Sequence, residues 1–190
     1  NLNLERNTID TAIGYNRLIS VEQGSDSTVL TMKSNIISNY KKYSDKESAV
    51  VYSTAKINNL IGNTISTTDS RVFDLSCYSG CTFTNNIIKD ASHFQNGCGL
   101  NFAGKGKSTD GLTMSNCIFS NCTADSESIF ILNGLDDQLE IFNVTFMDCV
   151  RNLDKENGYM IGIYTSKDNI HLTFKQCHFI NLESNAKGGG

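Results

Sequence analysis

The sequence contains no proline and no tryptophan, and its only arginines are Arg6, Arg17, Arg71 and Arg151. Without proline, no RxPxxR arrangement exists. No apolar run approaches the roughly 18 residues that a membrane-crossing helix needs, so no helical membrane span is expected. Lys and Arg are scattered rather than gathered in blocks, in a chain of net charge -4. Nucleic acid and anionic membranes both call for a concentrated basic surface, and the sequence offers none. No CxxC pair occurs among the seven cysteines; Cys77 and Cys81 stand close together, but no second pair completes a zinc site. Position 1 is Asn and no signal-peptide pattern follows it, so the chain reads as processed or excised.

Long runs of Ala, Leu, Glu and Lys at helical spacing are missing too. Asn, Ser, Thr and Ile are plentiful instead. Short β-branched and aromatic stretches alternate with clusters of Asn, Gly, Asp and Ser, which marks an all-β chain. Apolar residues recur along the whole length, which argues against disorder. With 190 residues, one domain spanning 1–190 is expected, as a segment of a longer chain or fibre.

One degenerate frame recurs. Residues 112–122 read LTMSNCIFSNC and residues 30–40 read LTMKSNIISNY; 139–149 (LEIFNVTFMDC) and 172–182 (LTFKQCHFINL) follow the same pattern. Residues 2–12 and 76–86 fit more loosely, and a weak copy lies at 58–64. The anchor row of large apolar residues is then Ile9, Ile37, Ile61, Phe83, Phe119, Phe146 and Phe179, at a spacing of about 28 residues. Further apolar stretches lie between modules: ESAVVY at 47–52, SRVFDL at 70–75, ESIFIL at 127–132 and GYMIGIY at 158–164. Three short strands and two or three turns per period are the layout of a solenoid coil. The expected fold is an all-β, right-handed parallel β-helix of about seven coils.

Within 112–122, alternation points Leu112 and Met114 inward, and after a bend Cys117 and Phe119. Stacked copies would set Phe on Phe at about 4.8 Å, each buried ring contributing on the order of 1.5–3 kcal/mol. A turn ladder is expected at Asn39, Asn63, Asn85, Asn121 and Asn181, with Thr11 and Asp148 as departures, because Asn tolerates left-handed backbone best after Gly. Stacked Asn side chains also hydrogen-bond along the axis. The frame sets Cys81, Cys117 and Cys177 in one inward row and Cys122 with Cys149 in another. Parallel Cβ vectors make poor disulfide geometry, so the cysteines are expected as buried thiols.

CTFTNN at 81–86, CIFSNC at 117–122, VTFMDC at 144–149 and CHFINL at 177–182 resemble the FxxN-type repeats of polymorphic outer-membrane proteins. Similar repeats occur in large surface proteins of some protists and in adhesin-like archaeal proteins. Of the four, Phe83 with Asn86 spells FxxN; Phe119–Asn121 and Phe179–Asn181 read FxN, and ESAVV and ESIFI stand where the companion GGAI would be. The resemblance implies a right-handed β-helix on the pectin-lyase-like superfold, with cell-surface display, adhesion or structure as its role.

Enzymes of that superfold handle uronate sugars with acidic clusters or basic residues on an outer sheet. Asp136-Asp137 is the one pair that resembles theirs. It falls in an expected loop, and the GHG and RIK motifs are absent. No catalytic, cofactor or metal residue is therefore assigned. His178 beside Phe179, His171, and His93 in an expected loop read as surface histidines. Two sequons, Asn121-Cys122-Thr123 and Asn143-Val144-Thr145, are candidate glycosylation sites, the second at a less accessible bend. The exposed row of the second strand is expected to be Thr8, Ile36, Leu60, Thr82, Ile118, Thr145 and His178. Tyr15, Tyr43 and Tyr78 are scattered aromatics available to sugars.

The functional expectation is a non-enzymatic structural or adhesive module, extracellular or on a cell surface. Its expected partners are copies of itself end to end, neighbouring β-helix repeats, surface glycans or host proteins, with no nucleic acid. No capping helix is visible at either end of the repeat, and a solenoid's open ends expose unpaired strands. The alternative is a carbohydrate-active or carbohydrate-binding protein, a fold-level analogy alone.

Overall fold

The computed structural model describes residues 1–22, 27–43, 48–93, 98–104, 112–125, 128–135, 139–152, 160–165 and 172–185. Every regular element among them is a strand, and the chain visits three sheets in rotation. The first sheet stacks seven strands: Leu2–Glu5, Val29–Lys33, Ile57–Ile61, Gly80–Thr84, Leu112–Ser115, Leu139–Phe142 and Leu172–Lys175. After a bend, the second stacks Thr8–Asp10, Ile36–Ser38, Thr64–Thr68, Ile87–His93, Ile118–Ser120, Thr145–Met147 and His178–Ile180. The third holds Arg17–Val21, Ala49–Ser53, Arg71–Cys77, Leu100–Gly104, Phe130–Leu135 and Ile161–Thr165. Pairing is parallel throughout. A chain that returns to each sheet one strand further on, always in the same direction, is a parallel β-helix. The expected all-β solenoid is what forms.

Alternation builds the core. In the first sheet Leu30 and Met32 point inward and are fully buried, with Thr31 between them. Register then turns each inward position into a row that runs the length of the solenoid. The second sheet's row is Ile9, Ile37, Ile65, Ile88, Phe119, Phe146 and Phe179. The third contributes Ile19, Val51, Phe73, Leu100 and Phe130 from the opposite wall. Rings stack along the axis, Phe119 on Phe146 at 5.0 Å and Phe146 on Phe179 at 5.6 Å, while Phe130 meets Phe119 and Phe146 edge-on at 5.7 Å.

The row corrects two expected anchors. Ile61 lies in the first sheet opposite Lys33 and Thr84, and Ile65 takes its place. Phe83 also belongs to the first sheet, opposite Leu60 and Met114, and Ile88 is the residue above Phe119. The cause is a local ambiguity. Each module has two inward strands, each followed by a bend that accepts Asn, so CTFTNN matches either half. Phe83 still joins the aromatic column from its own sheet, 6.5 Å from Phe119 and edge-on to Phe73 at 5.1 Å.

The same shift corrects the exposed row of the second sheet, which runs Thr8, Ile36, Thr64, Ile87, Ile118, Thr145 and His178. Leu60 is buried in the core, and Thr82 stands on the first sheet.

Candidate functional site

Among the described residues, side-chain hydrogen bonds between levels gather at the bends. All positive-φ residues described fall into two rows, with φ between 49° and 66°. The row after the first sheet is Arg6, Ser34, Gly62, Asn85, Asn116, Asn143 and Gln176. The row after the second is Thr11, Asn39, Thr67, Asp90, Asn121, Asp148 and Asn181. A left-handed non-glycine residue costs about 1–2 kcal/mol, so fixing the bend by axial bonding matters. Backbone N–H groups of these residues donate to carbonyls of the next level, as Arg6 does to Lys33 and Asn121 to Met147. Side chains add a second set: Asn39 Nδ2 donates to Asp10 (2.7 Å), Asn121 to Asp90 (2.7 Å), Asn181 to Asp148 (2.9 Å) and Asn143 to Asn116 (2.8 Å). Asp10 is held below the usual carboxylate range by its bonds to Ser38 and Asn39.

A third row, buried between its two end members, lies one residue past the first bend: Asn7, Asn35, Asn63, Asn86, Cys117, Val144 and Cys177. It forms a continuous ladder in the first four levels. Asn7 Nδ2 donates to Asn35 Oδ1 (2.9 Å), Asn35 to Asn63 (2.9 Å) and Asn63 to Asn86 (3.0 Å). The backbone N–H of each donor residue reaches the same acceptor. The amides also reach back, from Asn35 to the Leu4 carbonyl, Asn63 to Met32 and Asn86 to Leu60. Asn35, Asn63 and Asn86 are buried, and this satisfaction is what makes a buried amide tolerable.

The expected ladder of Asn39, Asn63, Asn85, Asn121 and Asn181 therefore divides among three rows. Asn39, Asn121 and Asn181 stand at the second bend, Asn85 at the first, and Asn63 in the buried ladder. Asn7, Asn35 and Asn86, which sequence reasoning missed, complete that ladder. Their signal was an Asn one residue after a bend, at the separations of 28, 28 and 23 residues that the bonds span.

Where the ladder ends, cysteine takes over its rear bond. Cys117 Sγ donates to the Phe83 carbonyl (3.4 Å) and Cys177 to Ile141 (3.4 Å), in the row of carbonyls that the amides use above. Cys122 and Cys149 do the same past the second bend, toward Ile88 and Phe119. Cys81 lies elsewhere, in the first sheet between Asn58 and Leu112, so the expected Cys81–Cys117–Cys177 row is corrected with the register. All seven cysteines are free thiols, six of them buried. Burial pushes the Cys117 thiol up to about 12. The Cys77 thiol, then burial, raises Cys81, and the bond to Cys122, then burial, raises Cys149. Protonated thiols of this kind are poor nucleophiles.

The remaining candidates are dispersed. Asn121 and Asn143 are both exposed, with their amide nitrogens engaged in the outer ladders. His178 stands on the exposed row beside Thr145; Asp136, Asp137 and His171 lie outside the described residues. His93 is not a surface loop residue. It ends the strand Ile87–His93 and is buried, next to Ala124 and then Arg151 in one corner row. Burial first, then the Arg71 and Lys42 cations, lowers its pKa to about 4. Tyr15 and Tyr43 come together, ring centroids 4.5 Å apart and both exposed. Among the described residues no group of three or more His, Cys, Asp or Glu is placed to hold a metal ion.

The two ends differ from the middle. At the last level Leu172, Phe174 and Phe179 occupy inward positions yet are exposed, Phe179 by 50% against 2% for Phe146. At the first level Leu2, Leu4 and Ile9 are only partly buried. A cavity of about 230 Å³ lies there, lined by Leu4, Ile9, Ile19, Met32 and Ile37 with Asn7 and Asn35.

No protein-family model, curated protein or solved structure matches this chain.

Proposed function

We propose that this chain is a non-enzymatic structural or adhesive β-helix module, working outside the cell or on its surface as part of a larger surface protein or fibre. One observation carries the reading. Apart from Glu183, each carboxylate among the described residues already serves a neighbour. Asp10, Asp90, Asp125 and Asp148 accept from ladder amides, Asp69 from the Lys42 N–H, and Asp74 from Arg71 and Asn101. Glu5, Glu22 and Glu140 pair with Lys33, Arg17 and Lys175. Acid–base chemistry on a sugar needs two carboxyls facing one substrate, and the described acids other than Glu183 are each engaged by a neighbour, most of them by a residue one level away. The finer kinship, a right-handed winding of the pectin-lyase-like kind with FxxN-type surface repeats, fits a crossover hand that holds in about 98% of parallel connections.

Antibody labelling of intact, unpermeabilised source cells tests the location; surface signal is expected, and signal only after permeabilisation would overturn it. Incubation with uronate-bearing polysaccharides tests the chemistry. No new reducing ends are expected; their appearance would establish the enzymatic alternative.

A second reading, carbohydrate binding without turnover, is favoured by one observation, the exposed Tyr15–Tyr43 pair beside the exposed Ile13. Two adjacent phenol faces suit a sugar ring. A glycan array of wild type against Tyr43→Ala would show glycan signal lost in the variant; equal signal would sink this reading.

A further inference from the structure

We infer that Cys77 and Cys81 are a disulfide-forming pair, closed by an oxidant of the low-molecular-weight disulfide class across the corner where the chain climbs from the third level to the fourth. The inference rests on the extracellular reading for its oxidising surroundings, while the chemistry is tested on the purified chain.

The two residues come from different walls of the solenoid. Cys77 ends the third-sheet strand Arg71–Cys77, and Cys81 lies in the first-sheet strand Gly80–Thr84. Both are buried. The chain between them turns about one point, the Lys56 carbonyl, which accepts from the Tyr78 N–H (3.4 Å) and the Ser79 N–H (3.0 Å). Asn58 then locates the sulfur. It is the register partner of Cys81, one strand spacing away, and its Nδ2 donates to Cys77 Sγ at 3.0 Å. The Cys77 sulfur therefore lies against the inward position that Asn58 and Cys81 share. In keeping with that contact, the Cys77 thiol is the leading cause of the raised Cys81 thiol. Cys122 and Cys149 are placed differently. They stack one level apart in a single row, which keeps their Cβ vectors parallel and poorly aimed for a bond.

The hydrogen bonding of Cys77 also sets the order of events. Cys117, Cys122, Cys149 and Cys177 donate to carbonyls, whereas Cys77 accepts from an amide. A donor aimed at sulfur favours the thiolate, which is the attacking form. Cys77 therefore attacks first. Its thiolate displaces one sulfur of the oxidant RSSR, forming the mixed disulfide Cys77–S–S–R and releasing RS⁻. Cys81 loses its proton and attacks the Cys77 sulfur, so that the bond to R breaks and the second RS⁻ leaves. The two thiol protons end on the two RS⁻ groups as RSH. The protein dithiol is oxidised by two electrons and the oxidant is reduced by two.

The experiment equilibrates the folded 190-residue chain with mixtures of reduced and oxidised glutathione, then quenches with acid, alkylates free thiols in denaturant and digests with trypsin. Cleavage after Arg71 and Lys89 releases residues 72–89, in which Cys77 and Cys81 are the sole cysteines. Under oxidising ratios this peptide is expected without alkyl groups and lighter by two hydrogens, while Cys117 and Cys177 stay alkylated. The same titration in urea supplies the unfolded reference. The folded chain is expected to favour the bond at least about tenfold more in equilibrium constant. A peptide alkylated twice at every ratio would overturn the inference, as would equal constants in the folded and unfolded chain. Cys81→Ser is expected to stop at one glutathione on Cys77, and Cys77→Ser to leave Cys81 free for alkylation; the reverse labelling would overturn the assignment of Cys77 as the attacking thiol. If either variant fails to fold by circular dichroism, the wild-type titrations still decide the pairing. Surface labelling and the polysaccharide assay do not depend on these results, so the module reading fails or survives separately.

Discussion

The first four levels and the last three fill the same backbone positions with different chemistry. Early levels place isoleucine at the second-sheet anchor (Ile9, Ile37, Ile65, Ile88) and asparagine past the first bend (Asn7, Asn35, Asn63, Asn86). Later levels place phenylalanine at the anchor (Phe119, Phe146, Phe179) and Cys117, Val144 and Cys177 past the bend. The backbone barely registers the change, since the bend φ stays near 50–56° at Asn85, Asn116 and Asn143. The difference teaches that a coil position specifies a shape and not a residue type: amide or thiol makes the rear hydrogen bond to a carbonyl, and Val144 fills the place with none. Where aromatic stacking holds adjacent levels together, a thiol suffices for that bond. Where smaller isoleucines stack, an amide that also reaches forward couples the levels.

Deletions should separate these two modes. Phe119→Ala removes a ring packed on Phe83, Phe130 and Phe146 and is expected to cost about 3–5 kcal/mol. Gly99 lies against it, where an added Cβ would come within 2.8 Å of the ring, so the site is filled on all sides. Asn63→Ala strands the Asn35 N–H and the Met32 carbonyl together, with an expected loss of about 3 kcal/mol from unsatisfied buried groups. Both are read by native-state hydrogen exchange, because a solenoid need not unfold in one step. Phe119→Ala should deprotect the later levels first, and Asn63→Ala the earlier ones. Equal deprotection throughout both halves would erase the comparison.

Much of this was legible in the sequence, and the failures have a common cause. The frame is plain wherever leucine opens the first strand and an Asn or Asp closes the second, and the resulting pairs Leu2–Leu30 and Leu139–Leu172 stand in register. AVVY and RVFDL read as strands and form the third sheet. In the third and fourth levels Asn58 and Cys81 occupy the leucine position, and the frame slid by four and five residues. Asn86 and Ile88 were then lost to the ladder and the anchor row. His93 was missed for a related reason: Asp90 is a bend inside a strand, so the sequence after it looked like loop.

That buried histidine distinguishes the middle of the solenoid from both ends. His93 faces Arg71, Lys42, Asp69 and Asp125, and its folded pKa near 4 lies below the unfolded value of about 6.5. As pH falls through that window, the unfolded chain takes the proton first. Stability is therefore complete above about 6.5, declines toward 4, and loses on the order of 2–3 kcal/mol from this group. Urea melts from pH 7 to pH 4 should show the decline, and His93→Gln should flatten it. An unchanged slope in the variant would assign the acid sensitivity to the carboxylates.

The smallest expected effect is the sharpest test of the equivalence between amide and thiol. Cys117→Asn extends the ladder by one level. Its amide would take over the bond to the Phe83 carbonyl, and its oxygen would accept from Asn86, as Asn86 accepts from Asn63. One amide hydrogen is then left facing Val144, which has nothing to accept it, so the gain and the new orphan nearly cancel. The single variant should change stability by no more than about 1 kcal/mol. Val144→Asn alone introduces an amide with no asparagine at Cys117 to donate to it, and should destabilise. Together they carry the ladder to the sixth level, and the double-mutant cycle should show a favourable coupling of about 1 kcal/mol, the size expected for buried neighbours that share a bond. Zero coupling would mean that the later levels are held in a geometry that cannot pass an amide ladder, and that the two halves differ in shape as well as in residue type.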